Sequence, residues 1–292
     1  MTTLILDTPN HALSLEGGLL HISHPEQSAR LLPLAELERL IIGKGISITS
    51  DLQIKLSELG KELILLGQKS CASIFNASSA PNSLRLLQYH VVSQVNTRRK
   101  LAFDIIEARR KGQNKILNRL GLPCLSAPES VPDNLMLYEA ELSRHYWQQW
   151  RTYFAGDGFH GRERQPPKDP INALLSLTST LEDSALAAPL LAEGFDLTLG
   201  IHHATGYRRA SLVLDIKELT RSELELWIIN QWHNQVFTAA DFQYNKQACL
   251  LTKAGQKVFY SSWFHWQKSR KEKLRELARR CHQKFIEVCD EQ

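Results

Sequence analysis

Residues 83–120, SLRLLQYHVVSQVNTRRKLAFDIIEARRKGQNKILNRL, decide the fold class. Apolar residues recur there at intervals of three and four, the period of an α-helix. The run predicts one long helix, or two joined, stopping at Gly121–Leu122–Pro123. Upstream the pattern is different. TTLILDT, HALSLEGG, LLHISH, LERLIIGK, ISITS and ELILLG are short, apolar or alternating, and Gly, Asn, Pro or Asp separate them. These read as strands, with one helix over Asp51–Leu59 interrupting them. FNASSAPNS, residues 75–83, is a stretch of small residues and proline that reads as a linker.

Downstream, helices are expected over Asn134–Phe154, twice within residues 171–194, over Ala210–Phe237, and in a basic tail from Trp263. The reading is therefore α+β. A small β-rich domain (residues 1–74) and a linker (75–84) precede a larger all-α domain (85–292), which carries any chemistry.

Composition narrows the function classes. Hydrophobic residues make up 43% of the 292 and charged residues 23%, as in an ordinary soluble protein. No apolar run reaches the roughly 18–20 residues of a membrane span, and the N-terminal residues lack the basic-then-apolar order of a signal peptide. A cytoplasmic protein without membrane contact is the expectation. The five cysteines are scattered without a CxxC pair, which argues against a disulfide framework or a structural zinc site. Nine Lys/Arg against two acids fall between Arg85 and Arg119, and seven against two between Lys268 and Arg280. Such concentration fits either a solvated helix face or a phosphate-backbone binder.

Candidate chemistry lies in two places. On a helix over Met136–Phe154, a stripe of Met136, Ala140, Ser143, Tyr146, Trp147, Trp150 and Phe154 faces inward, and Glu139 falls on it while Glu141 points away. An inward carboxylate needs a cation or an arginine partner, and spacing alone leaves both open. In GIHHATGYRRASLVLDIKEL, residues 200–219, Asp215 and Glu218 share one side of a helix just after His203. Imidazole plus carboxylates suits a divalent cation that keeps open positions, although each such residue is singly more often structural.

Four motifs in order supply more. FHGRERQPPKDPINALLS (Phe159–Ser176) resembles the Arg…Pro-Pro-x-Asp-Pro-x-Asn signature of the CRISPR-associated spacer-acquisition integrase family, the universal first Cas endonuclease. YEAELSRHYW resembles its glutamate helix, GIHH its Gly-x-x-His, and SLVLDIKELTR its Ser-Leu-x-x-Asp-x-x-Glu-x-x-Arg helix; the basic stretch above is similar to its helix with a Lys-x-x-Asn close. Ala140, Ser179 and Ser222 depart from the family's glycine, tyrosine and proline.

The resemblance implies a DNA endonuclease and integrase of CRISPR adaptation, inserting short donor DNA into a repeat array by phosphoryl transfer. It implies Mg²⁺ or Mn²⁺ on Glu139, His203 and Asp215, with Glu218 as a catalytic acidic neighbour, and lower activity at acid pH because a ligating His203 must be neutral. Expected DNA contacts are Arg85, Arg98, Arg99, Arg109, Arg110, Lys115, Arg162 and Arg221. Expected partners are DNA, a second copy of the chain, and a small adaptation protein bridging two dimers in a prokaryotic cytoplasm. Integrases of related mobile elements would share the triad; a non-catalytic DNA-binding scaffold is the other alternative.

Overall fold

The computed structural model describes residues 2–67, 71–74, 83–164, 166–206, 209–245 and 248–290. The chain divides into two compact units, residues 1–81 and 82–292. Most of the expected linker, residues 75–82, lies outside the described residues, and Ser83 and Leu84 already belong to a helix.

The first unit is built from two four-stranded sheets. Strands β1 (Thr2–Leu6), β5 (Leu37–Ile42), β7 (Glu62–Leu66) and β8 (Cys71–Ile74) lie side by side in that order. The second sheet runs β4 (Gln27–Pro33), β3 (Leu19–His24), β2 (Ala12–Glu16), β6 (Ser47–Ile48). Gly17 and Gly18 join β2 to β3 with φ of 56° and 80°. A two-residue hairpin turn of the type that matches strand twist requires positive φ at both positions, which glycine adopts without strain. β5 and β7 are parallel, so the chain must cross over between them. Helix α1 (Ser50–Glu58) lies on that connection and buries Leu52 and Leu56 in a core with Leu13, Leu20, Leu37, Leu40 and Leu63. The sequence pattern missed β4 and β8. In β4 every residue except Leu32 is exposed, so there is no burial alternation to read.

The second unit is dominated by helices α2 (Ser83–Ser93), α3 (Val95–Arg119), α4 (Leu135–Tyr153), α5 (Pro170–Glu193), α6 (Ser211–His233) and α7 (Lys253–Asp290). It is not all-α: β9 (Phe242–Asn245) and β10 (Ala248–Leu251) form an antiparallel pair, and Cys249 N donates to Pro167 O at 2.7 Å. Residues 170–193 form one helix rather than the expected two, with Pro189 inside it. Glu182 and Asp183 look like a break in sequence, but both are met within the fold. Arg270, Thr220 and Gln267 donate to Glu182, and Lys217 Nζ lies 2.6 Å from Asp183.

The DPIN motif is a helix start. Asp169 caps α5 by accepting from Asn172 N at 2.8 Å, and Pro170 takes the first helical position, where its missing N–H is no loss. Asn172 donates to Gly161 O and accepts from Glu163 N, tying the preceding loop to the cap.

Helix α6 is central, packed between α3 and α5 and buried along both its apolar and polar sides. Its approach to α3 depends on Gly112. A Cβ there would meet Ser222 Oγ at 2.7 Å and Ser222 Cβ at 2.9 Å. Gly112→Ala is therefore expected to lower stability by about 1–3 kcal/mol through overpacking, despite alanine's better helix propensity. Thermal unfolding of Gly112→Ala alone and with Ser222→Gly checks this, since the second change should restore the loss.

Candidate functional site

Everything in the site begins with where α6 starts. Asp215, one turn into the helix, is fully buried. Its Oδ2 accepts from Ile201 N at 2.5 Å and His202 N at 3.2 Å, and its Oδ1 accepts from His203 N at 3.0 Å. A buried carboxylate is tolerable only with such donors. Here three consecutive backbone N–H groups supply them and the chain wraps around the carboxylate. Gly200 makes the wrap feasible, because a Cβ at that position would lie 2.4 Å from His203 O and 2.9 Å from Asp215 Oδ2. Arg98 of α3 donates to Ile201 O at 2.8 Å and secures the turn from the other side.

Two histidines then face two carboxylates. His203 Nδ1 lies 2.7 Å from Asp215 Oδ1, and His202 Nε2 lies 2.8 Å from Glu139 Oε2 on α4. An ionised carboxylate only accepts, so Nδ1 of His203 carries the proton; in the neutral ring Nε2 is then the lone-pair nitrogen. A histidine oriented by a carboxylate through one nitrogen is a common way of presenting the other to a metal. His203 Nε2 and Glu139 Oε1 have no partner among the described residues. The bond to Glu139 also raises the pKa of His202, against the effect of its burial.

Of the expected triad, His203 and Asp215 meet each other, whereas Glu139 meets His202. Among the described residues, no three His, Cys, Asp or Glu side chains are gathered as a ready ligand cluster. Asp215, expected as a ligand, has both oxygens occupied in holding the turn and His203. Glu139 and His203 retain free donor atoms, one oxygen and one imidazole nitrogen, whose chemistry fits Mg²⁺ or Mn²⁺ with water and phosphate in the remaining positions.

Glu218 differs from its expected part as well. Burial would raise its pKa, but Arg221 (Nη1 to Oε1, 2.7 Å) and Arg109 (Nε to Oε2, 3.3 Å) hold it down at about 2. Arg109 also forks onto Glu225, at 2.9 and 2.5 Å, Arg221 reaches Glu225 at 3.3 Å, and Tyr146 donates to Glu225 at 2.8 Å. This is an internal network joining α3, α4 and α6.

Several of the expected DNA contacts have internal partners. Arg109 and Arg221 are held within the network, and buried Arg110 is turned onto Glu107 and Leu125 O. Arg85, Arg98 and Arg99 donate to backbone carbonyls while keeping some exposure. Arg162 donates to Asn172 and Ser176 and is pushed down to about 10 by burial and by the neighbouring Arg221 and Arg164. Lys115 is exposed, as is Lys111.

On α4 the buried stripe is Leu142, Tyr146 and Trp150, and half-buried Glu139 continues it toward the N-terminus at the same helical spacing, while Met136 and Ala140 are exposed. Two residues were missed as contributors to the site. His202 is one, and the doubled histidine is the sequence signal that could have found it. Arg164 keeps contact with solvent and has no ion-pair partner among the described residues; partial burial of its guanidinium and the neighbouring Arg221 lower its pKa, while Glu218 and Glu139 pull it back.

Known proteins agree with this architecture. The model of the family described as CRISPR associated protein Cas1 matches residues 4–265. The chain belongs to that family. Among curated relatives, the CRISPR-associated endonuclease Cas1 1 of Thermodesulfovibrio yellowstonii is 25% identical over 291 residues, covering 91% of each chain. A Cas1 protein from Thermotoga maritima superposes with a TM-score of 0.83 at 15% identity over 98% of this chain and 97% of that one. A casposase bound to integration product superposes at 0.79 and 19% identity, covering 97% and 91%. A chain of a Cas6-RT-Cas1–Cas2 complex superposes at 0.74 and 19% identity, with all of this chain covering 35% of that one. As a Cas1 protein the chain is a CRISPR-associated enzyme of the endonuclease kind.

The buried network makes a prediction about Arg109. Removing it leaves Glu225 and Glu218 short of a buried partner, so Arg109→Ala should destabilise by about 3–5 kcal/mol. Denaturant unfolding measures this. The slope of log K against log salt for DNA binding by the folded variant should be unchanged, whereas Lys111→Glu with Lys115→Glu should flatten it.

Proposed function

We propose that this Cas1 protein joins short donor DNA to a repeat array by divalent-metal-dependent phosphoryl transfer, at a site formed by Glu139 and the Gly200–His203 turn. The observation that carries the reading is the paired arrangement itself, His203 fixed by Asp215 with its second nitrogen free, and the adjacent His202 bonded to a carboxylate brought in from α4. Structural fixation of that kind is worth its cost where a group must meet a ligand in one geometry.

A bound Mg²⁺ or Mn²⁺ would be held by Glu139 Oε1 and His203 Nε2, and supplies Lewis acidity at the phosphoryl oxygen. The chain's own residues do the rest. Asp215 keeps the His203 proton on Nδ1, so the neutral ring presents its lone pair at Nε2. Arg164, unpaired and close enough to Glu139 and Glu218 to feel their charge, receives a phosphate oxygen and offsets negative charge as the transition state develops. Glu218 stays ionised between Arg109 and Arg221 and fixes those cations in place beneath the site. A 3′-hydroxyl as nucleophile gives strand transfer, and water in its place gives cleavage.

DNA and other Cas proteins are the partners. Lys111 and Lys115 belong to the backbone-contact surface, which gives affinity without sequence reading. The finer assembly is a homodimer through the β-rich unit, whose exposed β4 ends its sheet, with a small adaptation protein bridging two dimers. No helix among the described residues is long and apolar enough to cross a membrane, and the proposed setting is the prokaryotic cytoplasm. The casposase likeness supports a second reading, integration of a mobile element's own ends; the Cas1 family match favours the first.

The test is strand transfer of a short duplex into a plasmid, with and without Mn²⁺. Glu139→Gln and His203→Ala are each expected to lower the rate roughly 100-fold or more. Glu141→Gln should leave it within about twofold, because Glu141 is an exposed surface charge about 200° around α4. Metal-independent transfer, or the reverse ranking of the two glutamates, would overturn the assignment.

A further inference from the structure

Glu139 reaches the turn from a different helix, 63 residues earlier in the chain. Its neighbours along the buried side of α4 are Leu142 and Tyr146, which offer its carboxylate nothing to bond. Tyr146 directs its hydroxyl to Glu225 instead. The one hydrogen bond of the Glu139 carboxylate among the described residues is the 2.8 Å contact with His202 Nε2. An extended side chain with no other hydrogen bond would sample several rotamers.

His202 is well suited to hold it. Its side chain is only 6% exposed, and its backbone N–H is fixed on Asp215 Oδ2. The carboxylate can only accept, so Nε2 is the donor and engages Oε2 alone, leaving Oε1 free. The two adjacent rings have centroids 5.6 Å apart and planes at 73°, so each histidine serves one carboxylate without stacking on the other. One buried residue, Asp215, thereby sets both. It bonds His203 directly and places the backbone from which His202 reaches Glu139.

We propose that His202 is a positioning residue for Glu139: it immobilises one carboxylate oxygen so that the other is presented, together with His203, to a divalent cation. The proposal rests on the metal site put forward above. Outer groups that orient ligands in this way typically change metal affinity roughly 10–100-fold when removed. The direction separates the proposal from its opposite. A histidine that merely competes with the cation for Glu139 would weaken binding when present, so its removal would tighten it.

The experiment is titration of the full-length protein with Mn²⁺, followed by electron paramagnetic resonance of the free ion, with thermal unfolding in EDTA to verify folding. His202→Leu, similar in bulk but without the donor, should raise the Mn²⁺ Kd roughly 10–100-fold. His202→Gln, whose amide nitrogen replaces Nε2 as donor, should recover most of the loss. In a Glu139→Gln background, His202→Leu should change the Kd no further, because its effect passes through that carboxylate. Should His202→Leu fail to fold, His202→Asn, polar but too short to reach Oε2, is expected to show the same weakening. Unchanged or tighter binding in the folded donor-deficient variant, or His202→Gln as weak as it, overturns the positioning role alone. No Mn²⁺ binding by the wild type overturns the metal site and the positioning role together.

Discussion

The carboxylate of Asp215 has no contact with solvent, and three backbone N–H groups and one imidazole surround it. A buried carboxylate without donors costs several kilocalories per mole, so α6 can keep this residue only if the turn before it closes around the charge. The same closure orders His202 and His203 and requires glycine at position 200. Helix packing, turn geometry and the orientation of both histidines are consequences of satisfying one desolvated group.

A second set of buried charges keeps that arrangement rigid. Arg109, Arg221, Glu218, Glu225 and Tyr146 link α3, α4 and α6, while Arg270, Glu182, Thr220 and Gln267 link α5, α6 and α7. Buried ion pairs are poor sources of net stability compared with apolar packing. They are strongly directional, and a bidentate guanidinium–carboxylate pair fixes both distance and angle. Where helices must hold Glu139 and His203 to within fractions of an ångström, such directionality is useful. The apolar core of Trp150, Phe154, Phe159, Trp227 and Trp263 supplies the hydrophobic stabilisation.

This changes the meaning of the basic charge. An arginine-rich helix reads as a nucleic-acid surface, yet on α3 Arg109 and Arg110 serve the interior, and Lys111 and Lys115 carry the exposed charge. Net charge in a sequence window does not separate the two. Long cationic side chains that meet carboxylates from distant helices are indistinguishable, in sequence, from those that reach solvent.

Much of the architecture was legible because it rests on local periodicity. The switch from strands to helices and the starts of α4, α5 and α6 follow from side-chain spacing that any short segment carries. So did the positions of Glu139, His203 and Asp215 as residues of interest, through ordered motifs. The exposed strand β4 and the unbroken α5 were not legible: β4 lacks a buried face, and the charges in mid-α5 are neutralised by cations 34 and 88 positions away. Nor was the division of labour in the site. That Asp215 organises the turn, that Glu218 belongs to two arginines, and that His202 rather than His203 meets Glu139 are matters of which donor lies within 3 Å of which acceptor. Spacing along the chain determined which residue types lie near the site, whereas hydrogen-bond partnership across α3, α4 and α6 is set by packing and exists only once the helices have come together.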